Sequence, residues 1–258
     1  MLKARLLGSG TSSGVPRIGA DGADWGDCDP NEPRNRRTRA ALLVETATTR
    51  ILIDTPPDLR GQLLDAGAPR IDAVLWTHEH ADHCHGIDDL RQVFRVQGRP
   101  IPAYARPECW RRLQQRFAYA WMGNGGYPPL LTGAPIHGPL RIGDVDVTSV
   151  DMPHGGISSA GFRFSHAGKS IGYATDFSTF TGQMRSFFFG LDLFVIDALR
   201  RKPHPTHPCL AVSLDGISAT RPMHAVLMHM DSSMDYQSLS AELPDGVEPG
   251  YDGWEMTL

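Results

Sequence analysis

The chain has 258 residues, 41% of them apolar and 21% charged, with a formal net charge of −4. That balance is ordinary for a globular protein long enough to bury a substantial core. It supplies no general electrostatic pull toward nucleic acid or membrane, and no apolar stretch is long enough to span a bilayer.

In chain order, residues 4–8 read as a first strand that begins with no apolar signal segment before it. A connection rich in Gly, Ser, Pro, Asp and Asn then runs to Thr38. A structureless connection of that length is usually functional or pinned by something. Its beginning, Gly8–Pro16, has side chains small enough to let backbone approach a ligand, and Arg34, Arg36, Arg37 and Arg39 close it with a basic edge. Ala41–Glu45 and Arg50–Asp54 form an antiparallel hairpin. Pro56 and Pro57 open a helix through Leu64 that Gly67 stops. Asp72–Trp76 is a buried strand, and Ile87–Phe94 has helical periodicity. A strand near 101–105 and a helix from Pro107 follow. Residues 120–139 read as a loop, a candidate lid or contact in a homodimer, with an ordinary surface excursion as the alternative.

The second half repeats that logic, with strands near 145–151, 160–166 and 170–175, a helix near 181–189, and a strand Asp192–Asp197. A helix after Pro208 and a strand Ala225–Met228 complete it. Two mixed sheets packed face to face with helices outside bury both sets of apolar faces. No composition break divides the chain, so residues 1–258 are expected to form one domain, a four-layer αββα sandwich. Cys28, Cys84, Cys109 and Cys209 lie far apart with no Cys-x-x-Cys pair, so neither a disulfide framework nor a cysteine zinc knuckle is indicated. A reducing cytoplasm is the expected location.

Between the buried strand and its helix lies Thr77-His78-Glu79-His80-Ala81-Asp82-His83. His78 and His80, two apart, point the same way, while Asp82 and His83 turn toward a second point. Imidazole with carboxylate suits zinc, manganese or iron better than calcium or magnesium. His154, Asp176 and His229 fall at the ends of second-half strands, where loops from a common sheet edge converge. His78, His80, Asp82, His83, His154, Asp176 and His229 are too many ligands for one tetrahedral ion. They suit two divalent ions sharing a carboxylate, with Asp176 the natural bridge. Two ions ~3.5–4 Å apart activate water and neutralise charge in an in-line displacement.

Asp54, the His-x-His-x-Asp-His run at 78–83, His154, Asp176 and His229 match, in order, the five motifs of the metallo-β-lactamase superfamily, which the chain resembles over residues 54–229. The resemblance implies that His78, His80 and His154 hold one metal, that Asp82, His83 and His229 hold the other, and that Asp176 bridges them. Asp54 then orients the histidine loop from behind. Gly8–Pro16, Pro33–Arg37, His85–Arg91, Pro205–His207 and Tyr251–Gly253 are similar to the phosphoribosyl 1,2-cyclic phosphate phosphodiesterase (PhnP-like) subgroup, itself related to tRNase Z. This implies a binuclear phosphodiesterase that uses metal-activated water on a small cyclic sugar or nucleotide diester, with manganese, zinc or iron as its ions. A tRNase Z-like nuclease and a non-catalytic metal-binding module are the alternatives.

His204 and His207 sit in a loop between a strand and a helix, and the metal count is complete without them. A non-ligand histidine there suits a general acid for the leaving alkoxide or a phosphate clamp, and the subgroup's histidine matching His207 has the acid role. Asp82 and His207 are thus the expected catalytic residues, and His204, Arg34 and Arg37 the expected contacts to a substrate phosphate. Relatives in the subgroup usually carry a structural zinc on a Cys-x-Cys-x-x-Cys and a histidine. Here those positions are Ala20, Gly22, Trp25 and Ser232, so no structural zinc is expected, and only an irregular site on Cys28 with Asp24 or Asp27 is left open. Packing of Trp25 or a neighbouring subunit must hold the loop instead. Net charge −4 and no evident exosite insertion argue against stable nucleic-acid binding, leaving a small phosphodiester or nucleotide as the expected partner.

Overall fold

Alternation along the strands sets the layers. In Ala41–Glu45, Leu42 and Val44 pack into one apolar cluster while Ala41 and Leu43 pack into another, and all four are buried. Leu193–Asp197 behaves alike, with Leu193 and Val195 on one side and Phe194 and Ile196 on the other. Strands buried on both faces must lie inside a layered structure with further elements covering each side.

The computed structural model describes residues 1–68 and 70–258. Its strands are β1 (Lys3–Gly8), β2 (Arg17–Gly19), β3 (Gly22–Asp24), β4 (Ala41–Glu45), β5 (Arg50–Ile53), β6 (Ala73–Trp76), β7 (Ile101–Ala105) and β8 (Leu131–Pro135), then β9 (Leu140–Ile142), β10 (Val145–His154), β11 (Ile157–His166), β12 (Lys169–Ala174), β13 (Leu193–Asp197), β14 (His224–Met228), β15 (Val247–Pro249) and β16 (Glu255–Thr257). One seven-stranded sheet has the order β16-β1-β4-β5-β6-β7-β8 and the other β15-β14-β13-β12-β11-β10-β9. Each is antiparallel on one side and carries a parallel run on the other, β5 to β8 in the first and β12 to β15 in the second.

The helices are α1 (Leu59–Ala66), α2 (Ala81–Cys84), α3 (Leu90–Gln97), α4 (Pro107–Arg116), α5 (Ala118–Met122), α6 (Gly182–Phe187), α7 (Leu210–Thr220) and α8 (Tyr236–Glu242). Residues from α1, α3, α4 and α5 share a cluster with the outer face of the first sheet, and α6, α7 and α8 do so with the second. The inner faces meet in the third cluster, through Leu6, Ile53, Phe162 and Tyr173 among others. The expected αββα sandwich is therefore the architecture. Gly67 closes α1 at φ 59°, a left-handed cap that a residue with a side chain adopts at a cost. Among the described residues no helix is long and apolar enough to cross a membrane.

Two stretches differ from expectation. Residues 120–139 are not one loop, because α5 reaches Met122 and Leu131–Pro135 joins the first sheet as its edge strand. The connection between β1 and β4 holds the β2–β3 ribbon and a single turn at Pro33–Asn35. Its centre is Arg37, only 1% exposed, whose guanidinium donates to the carbonyls of Met234 (2.6 Å) and Asp231 (3.4 Å) and to Asn35 Oδ1 (3.4 Å). The backbone of Ser232 accepts from Asp27 N–H at 2.8 Å beside it. A buried arginine thus ties the loop to the segment after β14. Trp25 stays half-buried at the surface under the Arg36 guanidinium, at 5.0 Å. Arg37, expected to meet a substrate phosphate, is buried with its guanidinium turned toward these partners instead.

Candidate metal centre

The polar residues of interest gather where strands end. Asp54 follows β5, Thr77–His83 follows β6, His154 ends β10, Asp176 lies just beyond β12, Asp197 ends β13 and His229 follows β14. Asp54, Asp176 and His229 have φ of 66°, 59° and 58°, left-handed values that residues with side chains adopt rarely. Each such residue costs about 1–3 kcal/mol, which the surrounding sheet must over-determine. The strained turns bring Asp176 and His229 to one place and set Asp54 behind it, against Thr77 and His83.

There the side chains form two adjoining donor sets. His78 Nε2 lies 2.9 Å from His80 Nδ1, which lies 3.3 Å from His154 Nε2, so three imidazole nitrogens converge. Asp82, His83 and His229 converge likewise, with His83 Nε2 3.4 Å and His229 Nε2 3.8 Å from Asp82 Oδ2. Asp176 adjoins both sets: it groups with His78 of the first and lies 2.9 Å from His83 Nε2 through one oxygen and 3.2 Å from His229 Nε2 through the other in the second. All seven residues expected as ligands are thus brought together.

Burial opposes ionisation here, and mutual charge overcomes it. Asp176 is held well below the usual carboxylate range by His229 and His83. His83 is held well above the usual imidazole range by Asp176, Asp82 and Asp54 despite the same burial. His83 Nε2, His229 Nε2 and Asp176 Oδ2 are buried atoms without a hydrogen-bond partner among the described residues. Buried polar atoms left unmatched and aimed at common points suit divalent cations, and imidazole with carboxylate is the donor chemistry of zinc, manganese or iron.

A second tier fixes the donors. Asp54 accepts from His83 Nδ1 at 2.8 Å, from Thr77 N at 2.8 Å and from Thr77 Oγ1 at 2.9 Å, so its carboxylate grips the loop from behind. His154 Nδ1 donates to the Thr206 carbonyl at 2.9 Å. Three supports escaped sequence reasoning. Asp197 accepts from Asp176 N at 2.9 Å and from His207 Nδ1 at 3.2 Å. Its signal was an acid closing a buried strand, the same pattern that marked Asp54. Arg112 pairs at 3.0 Å with Glu79, which is buried between His78 and His80, and Arg116 donates to the Glu79 carbonyl. Nothing in the sequence joins α4 to that loop except the spacing of the two arginines along one helix face.

A profile of the beta-lactamase superfamily domain matches residues 49–230, which contain all seven donors and Asp54. The chain belongs to this superfamily. Within the superfamily it is similar to a solved diphosphatase from the PhnP family, 32% identical at a TM-score of 0.89, covering 100% of this chain and 98% of that one. An octanoyltransferase of Porphyromonas gingivalis is 33% identical across 100% of this chain and 52% of its own length. A ribonuclease Z of Bradyrhizobium sp. is 30% identical across 51% of this chain and 46% of its own. The chain therefore spans about half the length of these two curated relatives.

Over the donor sets lies a cleft of about 250 Å³, reached by His80, Asp82, His154, Asp176 and His207 from the donor side and by Ser12 from the first loop. His207 stacks on His229 with ring centres 4.9 Å apart. His204 does not line the cleft; its Nδ1 accepts from Thr206 N at 3.3 Å and so braces the loop. Arg34 is also turned elsewhere, donating to Glu32 at 2.7 and 2.8 Å and lying 3.9 Å over the Tyr236 ring. Of the expected phosphate contacts outside the donor sets, none of Arg34, Arg37 and His204 reaches the cleft.

Proposed function

We propose that the chain is a metal-dependent phosphodiesterase that binds two divalent ions, zinc, manganese or iron, and hydrolyses a small phosphodiester such as a cyclic sugar or nucleotide phosphate. The observation that carries this reading is the pair of three-residue donor sets with Asp176 within reach of both, and His207 stacked on His229 beside them in a further cluster with Asp176 and Asp197. His78, His80 and His154 would hold one ion, and Asp82, His83 and His229 the other. Ions held there supply Lewis acidity toward the phosphoryl oxygens and toward water.

The chain's own residues do the rest. A carboxylate only accepts, so the 3.2 Å contact to Asp197 places a proton on His207 Nδ1 and leaves Nε2 as the working atom. In its protonated form His207 donates from Nε2 to the departing oxygen, and Asp82 at the cleft floor accepts a hydrogen bond from the incoming water. A cleft of this size and a net charge of −4 favour a small diester over a folded RNA. Four free buried cysteines accord with a reducing cytoplasm.

The likeness to a diphosphatase favours a second reading, cleavage of a phosphoanhydride. The two differ at the leaving group, because an alkoxide needs a proton and a phosphate does not. His207→Ala is expected to slow hydrolysis of a ribose 1,2-cyclic phosphate by roughly 10²–10⁴-fold. The same variant should spare bis(4-nitrophenyl) phosphate, with metal content unchanged. Steady-state rates on both, with metal content by mass spectrometry, decide the matter; equal losses remove the acid role from His207. Chelator-treated protein should be inactive on both and regain activity with manganese or zinc, and full activity without metal overturns the assignment.

A further inference from the structure

An imidazole that ligates through one nitrogen is usually steered through the other. His78 Nδ1 lies 3.0 Å from Thr77 Oγ1, His83 Nδ1 2.8 Å from Asp54, and His154 Nδ1 2.9 Å from the Thr206 carbonyl. His229 lacks such a bond but is buried, with its ring stacked against those of His83 and His207. His80 has neither support. It alone of the seven donors is exposed, and among the described residues its Nε2 has no hydrogen-bond partner. What places His80 must therefore act through its backbone.

The peptide group joining Glu79 to His80 is planar, so a grip on its carbonyl oxygen fixes the plane on which His80 is mounted. That oxygen accepts from Arg116 and, at 3.4 Å, from the Cys84 thiol. The Glu79 carboxylate, which burial obliges to find a partner, pairs with Arg112 Nη1 at 3.0 Å. Arg112 and Arg116 are four apart in α4 and so share one helix face, and Glu108, one turn earlier, accepts from Arg112 Nε at 2.8 Å and steadies it. One helix thus holds Glu79 through both its side chain and its carbonyl. The second donor set is anchored from another side, because Asp54 after β5 holds His83, and Thr55 N donates to the His83 carbonyl at 2.8 Å.

We propose that Arg112 and Arg116 are positioning residues for the ion held by His78, His80 and His154: through Glu79 they set His80, so that α4 controls retention of this ion independently of the other. The inference rests on the two-ion reading above. Its test is calorimetric titration of metal-free protein with zinc, with a chromophoric chelator as competitor, and needs no substrate. The wild type should take up two ions per chain. Arg116→Met should weaken one of them by roughly 10–100-fold, the range seen when a ligand's support is removed, and leave the other within about twofold.

Two further variants separate positioning from a general effect on the fold. Arg116→Lys keeps a charged donor for the carbonyl and should hold wild-type affinity within about threefold. In a His80→Ala background, where the ring to be placed is gone, Arg116→Met should change nothing further. Equal weakening of both ions in Arg116→Met, an additional loss on top of His80→Ala, or two ions bound as in wild type overturns the positioning role. A wild type that binds only one ion overturns the two-ion reading, and the inference with it.

Discussion

Asp54 is fully buried and touches no part of the cleft, yet three hydrogen bonds make it the hinge on which His83 is set. Its two oxygens serve only as acceptors, and an amide in its place presents one acceptor and one donor. Asp54→Asn therefore leaves either Thr77 or His83 facing an N–H, and the His83 ring loses its fixed orientation. Metal affinity should fall by roughly 10–100-fold, the usual effect of removing a support behind a ligand, with the secondary structure retained. Competition with a chromophoric chelator measures it, and affinity within twofold of wild type refutes the role. At this scale the sequence was informative where residues formed a series. Asp54 is legible because it precedes four further motifs at the ends of apolar strands. Asp197 passed unnoticed because a lone acid after Phe194-Val195-Ile196 looks like Asp192 before it, and only the fold shows that Asp197 lies beside Asp176 while Asp192 pairs with Lys169.

Elements were legible where hydrophobic period and punctuation agreed, as in α4 after Pro107 and α1 before Gly67. They were not legible where a short piece owes its shape to a distant partner. The β2–β3 ribbon and the turn at Pro33–Asn35 have no apolar period, and β15 and β16 are three residues each. What organises the first loop is Arg37, which in sequence is one of four arginines and in the fold is the one turned inward. Replacing it with Met, similar in length, leaves the carbonyls of Met234 and Asp231 buried without that donor. Arg37→Met should destabilise the protein by about 2–4 kcal/mol, since breaking a buried charge-assisted network on one side strands the other side. Urea unfolding of metal-loaded protein checks this. Stability equal to wild type would show that packing alone fixes the loop.

The two halves of the molecule repeat one plan. In each sheet the first strand of the parallel run, β5 or β12, leads into an aspartate in the left-handed region, Asp54 in one half and Asp176 in the other. One copy turns back to orient a ligand while the other reaches the donors itself, so a duplicated architecture yields a single asymmetric site. The chain ends close this arrangement. β16 pairs with β1, and Asp252 just before it accepts from Ser9 N and Oγ (2.9 and 2.8 Å) and from Thr38 N and Oγ1 (2.7 and 2.6 Å), fastening both ends of the first loop. Burial nevertheless pushes its carboxyl from 3.8 up to about 6, against the pull of those four donors. The folded protein then holds this proton more tightly than the unfolded chain, so between about pH 4 and about pH 6 it binds more protons, and stability falls as pH rises through that window. The contribution is fully present below about pH 4 and gone above about pH 6. Allowing for the partial exposure of the residue, it amounts to roughly 2 kcal/mol. Asp252→Asn has no proton to lose, so the unfolding free energy of wild type minus variant should shrink by that amount between about pH 4 and about pH 7. Urea titrations at both pH values measure the difference. A constant gap would mean that the four hydrogen bonds, rather than burial, govern the carboxylate.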